Sequence, residues 1–511
     1  MSKHVLSRRN FMKQAMVSGA ALLGAAALDC AAPGSFIAPR RKPNLVFMLS
    51  DQHAYDMLGC YGNSQILTPN LDRLAGQGVR FAECIANVPV CTPSRGSLLS
   101  GLHPLRHGAF HNDVQMLPGT GNYFGDVLKK NGYRTGYIGK WHLMGGDRNR
   151  PIPPGPLRYG FDDTFLSNNC TLNYAAGSAY YWNEHGQRTI YDAWEPYAQA
   201  RQAIEFLNTR DKEQPFALFI AWHPPHDMGK RNGEYCYDTE PDLMGLYDAA
   251  KIRLRANVED SPAARRQYRG YMAMCSGIDR AAGMVLDALQ QQNLETNTLV
   301  VYTADHGDLL GSHHRPKPKG YPEQESIHVP LLMRLPGQLE AATNSNLLIG
   351  LLDMMPTVLS LLQLEVPATC QGRDLSKQIL AKDDNAVASL PLYFFAPAWR
   401  GIYTRQYTYA FDEQPGADAS VACRVLYDRL GDPVEIKNQF VSREYAATRT
   451  HLHALSREWL AGFNDPCPTS SELFRLCALD REHLTKPGAE ARLKQCPVDL
   501  LRQNSFKSFL E

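Results

Sequence analysis

Four short apolar runs, each ending in a cluster of polar side chains, constrain this chain most. Asn44 to Leu49 ends at Ser50-Asp51-Gln52-His53, and Tyr133 to Ile138 runs into Gly139-Lys140-Trp141-His142. Phe216 to Trp222 delivers His223-Pro224-Pro225-His226-Asp227, and Thr298 to Tyr302 is tipped by Thr303-Ala304-Asp305-His306-Gly307-Asp308. Runs of this length predict strands buried on both faces, as in a parallel sheet. Helical patterns separate them: one opening at Thr68-Pro69, one over Tyr123 to Lys130, one over Ala198 to Asn208, and one or two over Ala263 to Gln291. The alternation predicts an α/β fold with a large, mostly parallel sheet sandwiched by helices. Its four polar tips then share the C-terminal edge, where open α/β sheets bind ligands.

A fifth stretch belongs with them. In Val90-Cys91-Thr92-Pro93-Ser94-Arg95, Pro93 suits the first turn of a helix and places Cys91 at its N-terminus. Backbone N–H groups and the helix dipole favour anions there, and Arg95 adds a forked cation one turn on. A buried structural cysteine is the plainer alternative for any single thiol.

The later chain changes character. Gly311 to Glu325 reads as a loop with basic content including Lys319, Val329 to Arg334 as a strand, and Leu348 to Leu362 as a helix. Residues 145–160, rich in Gly, Pro and Arg, read as a long surface loop. Beyond about 385, Leu392 to Phe395, Gly401 to Phe411 and Val421 to Asp428 are β-rich and separated by turns, and Ser442 to Phe463 is helical. The expected organisation is a segment 1–38, a main domain 39–385 and a smaller C-terminal α+β domain with an antiparallel sheet over 386–511.

Segment 1–38 is read as a targeting signal. Ser7-Arg8-Arg9-Asn10-Phe11-Met12-Lys13 precedes an apolar, small-residue run from Ala15 to Leu28, too short to span a bilayer comfortably. The paired arginines resemble a twin-arginine export signal cleaved between Ala27 and Ala38, which implies a bacterial periplasmic or secreted protein and a passage through export machinery. Cys30 invites a lipoprotein reading, which Asp29 before it disfavours. The 53 Lys and Arg balance 52 Asp and Glu, so no nucleic-acid partner is expected. None of the 12 cysteines forms a CxxC pair or zinc spacing, and Cys467, Cys477 and Cys496 lie close enough in sequence for one late disulfide.

The polar tips carry a recognisable chemistry. Asp51 and Asp305 are hard oxygen ligands, Gln52 offers a carbonyl, and the set suits Ca²⁺, Mg²⁺ or Mn²⁺. His306 adds a nitrogen that tilts the site toward Mn²⁺, or serves as a donor behind the ligands. Lys140, Lys319 and Arg95 are cations near the same edge, and His142 and His226 are hydrogen-bond donors or acids. A metal, several cations and a nucleophile at a helix N-terminus describe a hydrolase of sulfate or phosphate esters.

Cys91-Thr92-Pro93-Ser94-Arg95 resembles the Cys-x-Pro-Ser-Arg signature of type I sulfatases, in the alkaline phosphatase superfamily. The resemblance continues through Leu58-Gly59-Cys60-Tyr61-Gly62-Asn63, Gly139-Lys140-Trp141-His142, His223-Pro224-Pro225-His226, Ala304-Asp305-His306-Gly307-Asp308 and Glu325-Ser326-Ile327-His328-Val329-Pro330. Leu426-Tyr427-Asp428 with Asp432-Pro433-Val434-Glu435 and Asn438 resembles the family's usual ending. It implies an alkaline-phosphatase-like fold and a formylglycine made from Cys91 by a maturation enzyme, whose hydrated aldehyde attacks sulfur. It further implies that Arg95 orients the nucleophile and that Asp51, Gln52, Asp305 and His306, with Cys91 itself, surround the metal. Lys140 and Lys319 would bind sulfate oxygens, and His142 would contact the formylglycine. His226 would sit near the leaving-group oxygen, with His223 its rival for that role.

Two departures matter. Many relatives carry Asp-Asp at Asp51-Gln52 and Asp-Asn at Asp305-His306, and similar replacements occur near phosphonate monoester hydrolases. The leading expectation is an exported sulfatase acting on sulfated carbohydrate, with Ca²⁺ as the metal and Mn²⁺ or Mg²⁺ as alternatives. Tyr180-Tyr181-Trp182 is weak support for a sugar pocket. A phosphonate monoester or phosphodiester hydrolase is the alternative, and a sugar-binding protein without catalysis is the third reading.

Overall fold

The protein is described by a computed structural model over residues 42–119, 122–395, 398–412 and 423–467. The expected signal segment, Cys30, Cys477 and Cys496 lie outside those residues. The four apolar runs are neighbouring strands at the centre of a ten-stranded mixed sheet. Its order is Thr343–Ser345, Val79–Phe81, Leu331–Arg334, Thr298–Ala304, Asn44–Asp51, Phe216–Pro225, Arg134–Lys140, Thr164–Asn168, Tyr180–Trp182 and Arg188–Ile190. The five strands from Thr298–Ala304 to Thr164–Asn168 run parallel, and antiparallel strands flank them on both sides.

Burial on both faces explains why the central strands read as unbroken apolar runs. Along Asn44–Asp51, Leu45, Phe47 and Leu49 enter one core, while Val46 and Met48 enter the other on the opposite face. The 30-residue helix Pro262–Gln291 and the helix Glu195–Asn208 cover the second face. Cys91–Ser100 and Met354–Leu361 pack on the first. Pro262 begins the long helix, capped by the Ser261 hydroxyl accepting from the Ala264 N–H at 3.1 Å.

The C-terminal sheet is antiparallel and four-stranded, ordered Ser389–Phe395, Ala398–Thr404, Tyr407–Phe411 and Val425–Asp428. Its strands alternate: Trp399 and Tyr403 join the first core, whereas Ile402, Tyr409 and Leu426 meet Leu452 and Leu460 of the helix Ala446–Phe463.

Three local readings change. The stretch expected as one helix from Leu348 opens with a two-residue strand, Ile349–Gly350, paired to Cys84–Ile85, then a tight turn Leu351–Asp353 before the helix Met354–Leu361. The Gly350 N–H donates to the Asp353 carboxylate at 3.0 Å, and Pro356 sits in the helix's first turn. The helix expected from Ser442 starts at Ala446. Tyr180-Tyr181-Trp182 is a strand beside the Arg188–Ile190 edge, with Arg188 stacked over Tyr180 at 4.1 Å.

Candidate active site

The four strand tips and the Cys91 helix converge. Asn44–Asp51 ends in a bulge: Ser50 pairs with Trp222 but Asp51 with Pro225, so the strands part and their tips separate into a pocket. Gln52, Asp113 and His142 all adopt left-handed backbone conformations, with φ of 65°, 66° and 56°. Such residues cost energy and concentrate where a site needs a side chain aimed off the regular ladder. Gly139 just before Lys140 has φ 104°, and a Cβ there would lie 2.1 Å from the Ala221 carbonyl oxygen. Only glycine lets that strand lie close enough to Phe216–Pro225 to deliver Lys140.

Cys91 is the first residue of its helix and is 1 % exposed. The Thr92 N–H donates to Asn112 Oδ1 at 3.0 Å, the Thr92 hydroxyl to the His142 carbonyl at 2.8 Å, and the Ser94 hydroxyl to the Asp305 carbonyl at 2.5 Å. The helix start is thereby tied to two of the strand tips. Cys91 Sγ lies 3.2 Å from His306 Nε2, 3.5 Å from Asp51 Oδ1 and 3.4 Å from Lys319 Nζ.

Asp51 and Asp305 face each other across this thiol. Ligating atoms of Asp51, Asp305, His306 and Cys91 all lie within 4.8 Å of one another, fully enclosed. Lys140 donates to Asp51 Oδ2. Arg95 donates from Nε to Asp305 Oδ2 at 2.8 Å and from Nη1 to the Lys140 carbonyl at 3.0 Å, while its Nη2 has no hydrogen-bond partner among the described residues. Arg95 therefore holds Asp305 from behind, with Nη2 3.8 Å from Asp51 Oδ2. His306 Nε2 sits 3.4 Å from Asp51 Oδ1 and 3.7 Å from Asp305 Oδ1. Two close carboxylates with an imidazole nitrogen form a donor set that fits one divalent cation.

The electrostatics follow from this crowding. Burial and the neighbouring Cys91 raise the Asp51 pKa, but Lys140, His226 and Lys319 outweigh them and hold it well below the usual carboxylate range. Burial and Asp51 push Asp305 up, against Arg95 and His306. Burial also raises the Cys91 thiol, yet Lys140, Lys319, His306 and a bond from His142 bring it well below its ordinary value. The pocket is built to hold negative charge at the Cys91 position.

Gln52 links three elements. Its side-chain N–H groups donate to Asp308 Oδ2 at 2.6 Å and Asp227 Oδ2 at 3.2 Å, and its Oε1 accepts from Lys319 Nζ at 2.6 Å. Its backbone N–H donates to Asp305 Oδ1 at 3.1 Å. Lys319 also donates to His226 Nε2 at 2.6 Å, while His226 Nδ1 donates to the Asp227 carbonyl at 2.6 Å. His226 thus lies in the pocket. His223 does not: it is fully buried, bonded through Nδ1 to Glu195 at 2.6 Å and stacked on Tyr174.

His142 stands on the other side. Its Nε2 donates to Asp113 Oδ1 at 3.1 Å, and Arg148 forks onto Asp113 at 2.7 and 2.6 Å. Burial lowers the His142 pKa, but Cys170 and Asp113 raise it to about 10. The structure brings together every residue the strand tips suggested: Asp51, Gln52, Cys91, Arg95, Lys140, His142, His226, Asp305, His306 and Lys319. It adds Asp113, Arg148, Cys170, Asp227 and Asp308. Asp227 and Asp308 end two of the polar tips and were visible there. Asp113 and Cys170 stand in loops with no informative spacing.

Comparisons with known proteins show the family of the chain. The family model described as Sulfatase matches residues 43–364, and one described as N-sulphoglucosamine sulphohydrolase, C-terminal, matches 314–459. The chain is similar to an ulvan-active sulfatase of Formosa agariphila, at 31% identity over 83% of this chain and 82% of that protein. It is also similar to an endo-4-O-sulfatase of Bacteroides thetaiotaomicron, at 27% identity over 85% of this chain and 96% of the other. A Bacteroides fragilis crystal structure assigned as a sulfatase superimposes with TM-score 0.75 and 30% identity, covering 83% of this chain and 97% of that one. A phosphonate monoester hydrolase of Agrobacterium radiobacter shares the fold at TM-score 0.64 and 18% identity, covering 82% of this chain and 96% of its own.

Proposed function

The chain belongs to the sulfatase family and is a sulfuric ester hydrolase, and from that premise we propose that it removes sulfate from a sulfated carbohydrate outside the cytoplasm, using a formylglycine made from Cys91. The observation that carries the reading is the placement of Cys91. It lies at a helix N-terminus, at the floor of a pocket whose walls present Lys140, Lys319 and His226. The substrate class rests on the relatives named for ulvan and for 4-O-sulfate.

Within this reading, Asp51, Gln52, Asp305 and His306 hold a divalent cation beside Cys91. When bound, that cation supplies Lewis-acid stabilisation of negative charge. The imidazole of His306 favours Mn²⁺ among Ca²⁺, Mn²⁺ and Mg²⁺. Lys140 and Lys319 bind non-bridging sulfate oxygens, Lys319 turning from Gln52 to do so. Arg95 keeps both aspartates aimed at the cation. Once Lys319 has turned from His226 to the sulfate, His226 Nε2 is free to carry a proton, and the sugar oxygen takes that proton as its S–O bond breaks. Burial and Lys319 oppose that proton, and the Asp227 and Asp51 carboxylates favour it, with a net upward shift. His142, on the opposite wall, takes the proton that the nucleophile gives up after shedding the one that Cys170 and Asp113 favour. The paired Arg8-Arg9 and the run Ala15 to Leu28 support twin-arginine export to the periplasm or beyond, after a cytoplasmic maturation enzyme has acted.

Mass spectrometry of the Cys91 peptide from natively expressed, active protein tests the nucleophile. Formylglycine is expected, and an unmodified thiol overturns the mechanism. Assays with sulfated monosaccharides, an aryl sulfate and an aryl phosphodiester in parallel test the substrate. Preference for the phosphorus ester overturns the sulfate reading.

A further inference from the structure

A second cluster of histidine and carboxylates lies outside the pocket. His313, Glu325 and Glu435 place ligating atoms within 4.8 Å of one another. Their side chains come from both ends of the Gly311 to Glu325 loop and from the turn after the last strand of the antiparallel sheet. Glu325 and Glu435 are buried, and the His313 side chain is 7 % exposed. Among the described residues neither glutamate has a lysine or arginine within ion-pair distance. Arg255, which acts on Glu325, is forked onto Asp56 at 2.6 and 2.7 Å, and Arg429, which acts on Glu435, donates to the Thr408 hydroxyl at 2.6 Å. Glu435 accepts instead from the Thr408 hydroxyl at 2.5 Å and the Gln324 N–H at 2.8 Å.

Few donors serve these acceptors. A single Asn257 amide nitrogen lies 2.6 Å from Glu325 Oε1 and 3.0 Å from the Val434 carbonyl, and His313 Nε2 lies 3.1 Å from Glu325 Oε2. The two amide hydrogens and one imidazole hydrogen are all used by these three acceptors. Independently, the Glu323 carboxylate spends Oε1 on Arg315 and leaves Oε2 without a partner among the described residues, although its side chain is fully buried. Glu323 lines the same 520 Å³ cavity as His313 and Asn257. A buried unpaired carboxylate oxygen is costly unless a ligand completes it.

We propose that His313, Glu325 and Glu435 bind a second divalent cation, Zn²⁺ or Mn²⁺, with the cavity beside Glu323 as its entry. One imidazole with two carboxylates matches the donor preference of these ions over Mg²⁺. Such a cation clamps both ends of the loop that carries Lys319 to the 434–435 turn of the small sheet. It is separate from the cation proposed beside Cys91.

The test is metal content, independent of activity. The full-length protein, stripped with a chelator and dialysed against micromolar Zn²⁺ or Mn²⁺, is assayed for bound metal per chain. Two per chain are expected for the natural sequence, and one for Glu435→Gln or His313→Gln with an unchanged far-ultraviolet spectrum. The doubly substituted Asp51→Asn/Asp305→Asn protein, in which this cluster is intact, is expected to keep one. No metal on that double variant overturns the proposal, as does a Glu435→Gln protein that binds as much as the natural one. Should Glu435→Gln and His313→Gln both fail to fold, the double variant alone decides. A natural protein that binds one ion, lost in the double variant, refutes the second site and leaves the first.

Discussion

The Cys91 pocket and the His313 cluster use the same side-chain types under different surrounding charge. In both, buried carboxylates face a histidine within a few ångströms. Around Asp51 and Asp305 the chain adds Lys140, Lys319, Arg95 and a helix N-terminus, so cations exceed what the carboxylates consume. Around Glu325 and Glu435 it adds hydroxyls, backbone, one asparagine and no lysine or arginine within ion-pair distance among the described residues. The surrounding charge decides what each can recruit: the first suits a tetrahedral anion, the second a cation. Carboxylates and a histidine in proximity are therefore not themselves a signature of catalysis; the charge placed around them is.

The sharpest contrast is expected from the nucleophile. Cys91→Ala removes one buried sulfur whose neighbours are bonded to other groups, so the fold is retained. Turnover of a sulfate ester is expected to fall by about 10⁴-fold or more, as when a covalent nucleophile is removed elsewhere. Steady-state kinetics with a melting curve on the same preparation reads both. Near-normal hydrolysis by Cys91→Ala places the reaction elsewhere and breaks the comparison. Glu435→Gln, by contrast, acts on the melting temperature more than on kcat.

A smaller effect separates the cations within the pocket. Lys140 is 1 % exposed and bonded to Asp51, whereas Lys319 is only partly buried and shares its protons among Gln52, His226 and Cys91. Lys140→Ala removes a fixed positive charge from a water-poor wall, and kcat is expected to fall by about 10²- to 10³-fold. Measured metal affinity is expected to change as well, because Asp51 loses its partner. A change confined to KM would mean that Lys140 binds substrate without acting on the transition state.

Much of this arrangement was legible in the sequence, and the reason is geometric. Residues at the C-terminal ends of adjacent parallel strands must lie together, so Asp51, Lys140, His226 and Asp305 were grouped by topology alone once the strands were read. Pro93 likewise fixed the helix start at Cys91. The choice between His223 and His226 was not decidable from residue type. It depends on Glu195, 28 positions away, which captures His223 in the core. Gln52 was read as a ligand beside Asp51, and the fold adds that its side chain also bonds Lys319, Asp227 and Asp308. The short strand Ile349–Gly350 was hidden in an apolar helical pattern because its partner, Cys84–Ile85, is distant in sequence. Asp113 was unreadable for the same reason, since its meaning comes from His142 and Arg148.

Asp113 supplies the smallest and most discriminating test. It holds His142 by one bond and is itself held by both arms of Arg148, so it positions the imidazole without touching substrate. The carboxylate favours the protonated imidazole, as Cys170 does more strongly, against burial. Asp113→Asn keeps an acceptor but removes the charge, so the His142 pKa falls. If His142 acts as the base, its neutral form then persists to lower pH, and the acidic limb of the kcat profile moves down by about one pH unit. The loosened imidazole is expected to cost about 10-fold in kcat, in the range seen when groups behind a ligand or base are removed. An acidic limb that stays in place while kcat falls would give Asp113 a purely steric role. An alkaline limb that moves down instead would mean that the protonated imidazole is the working form.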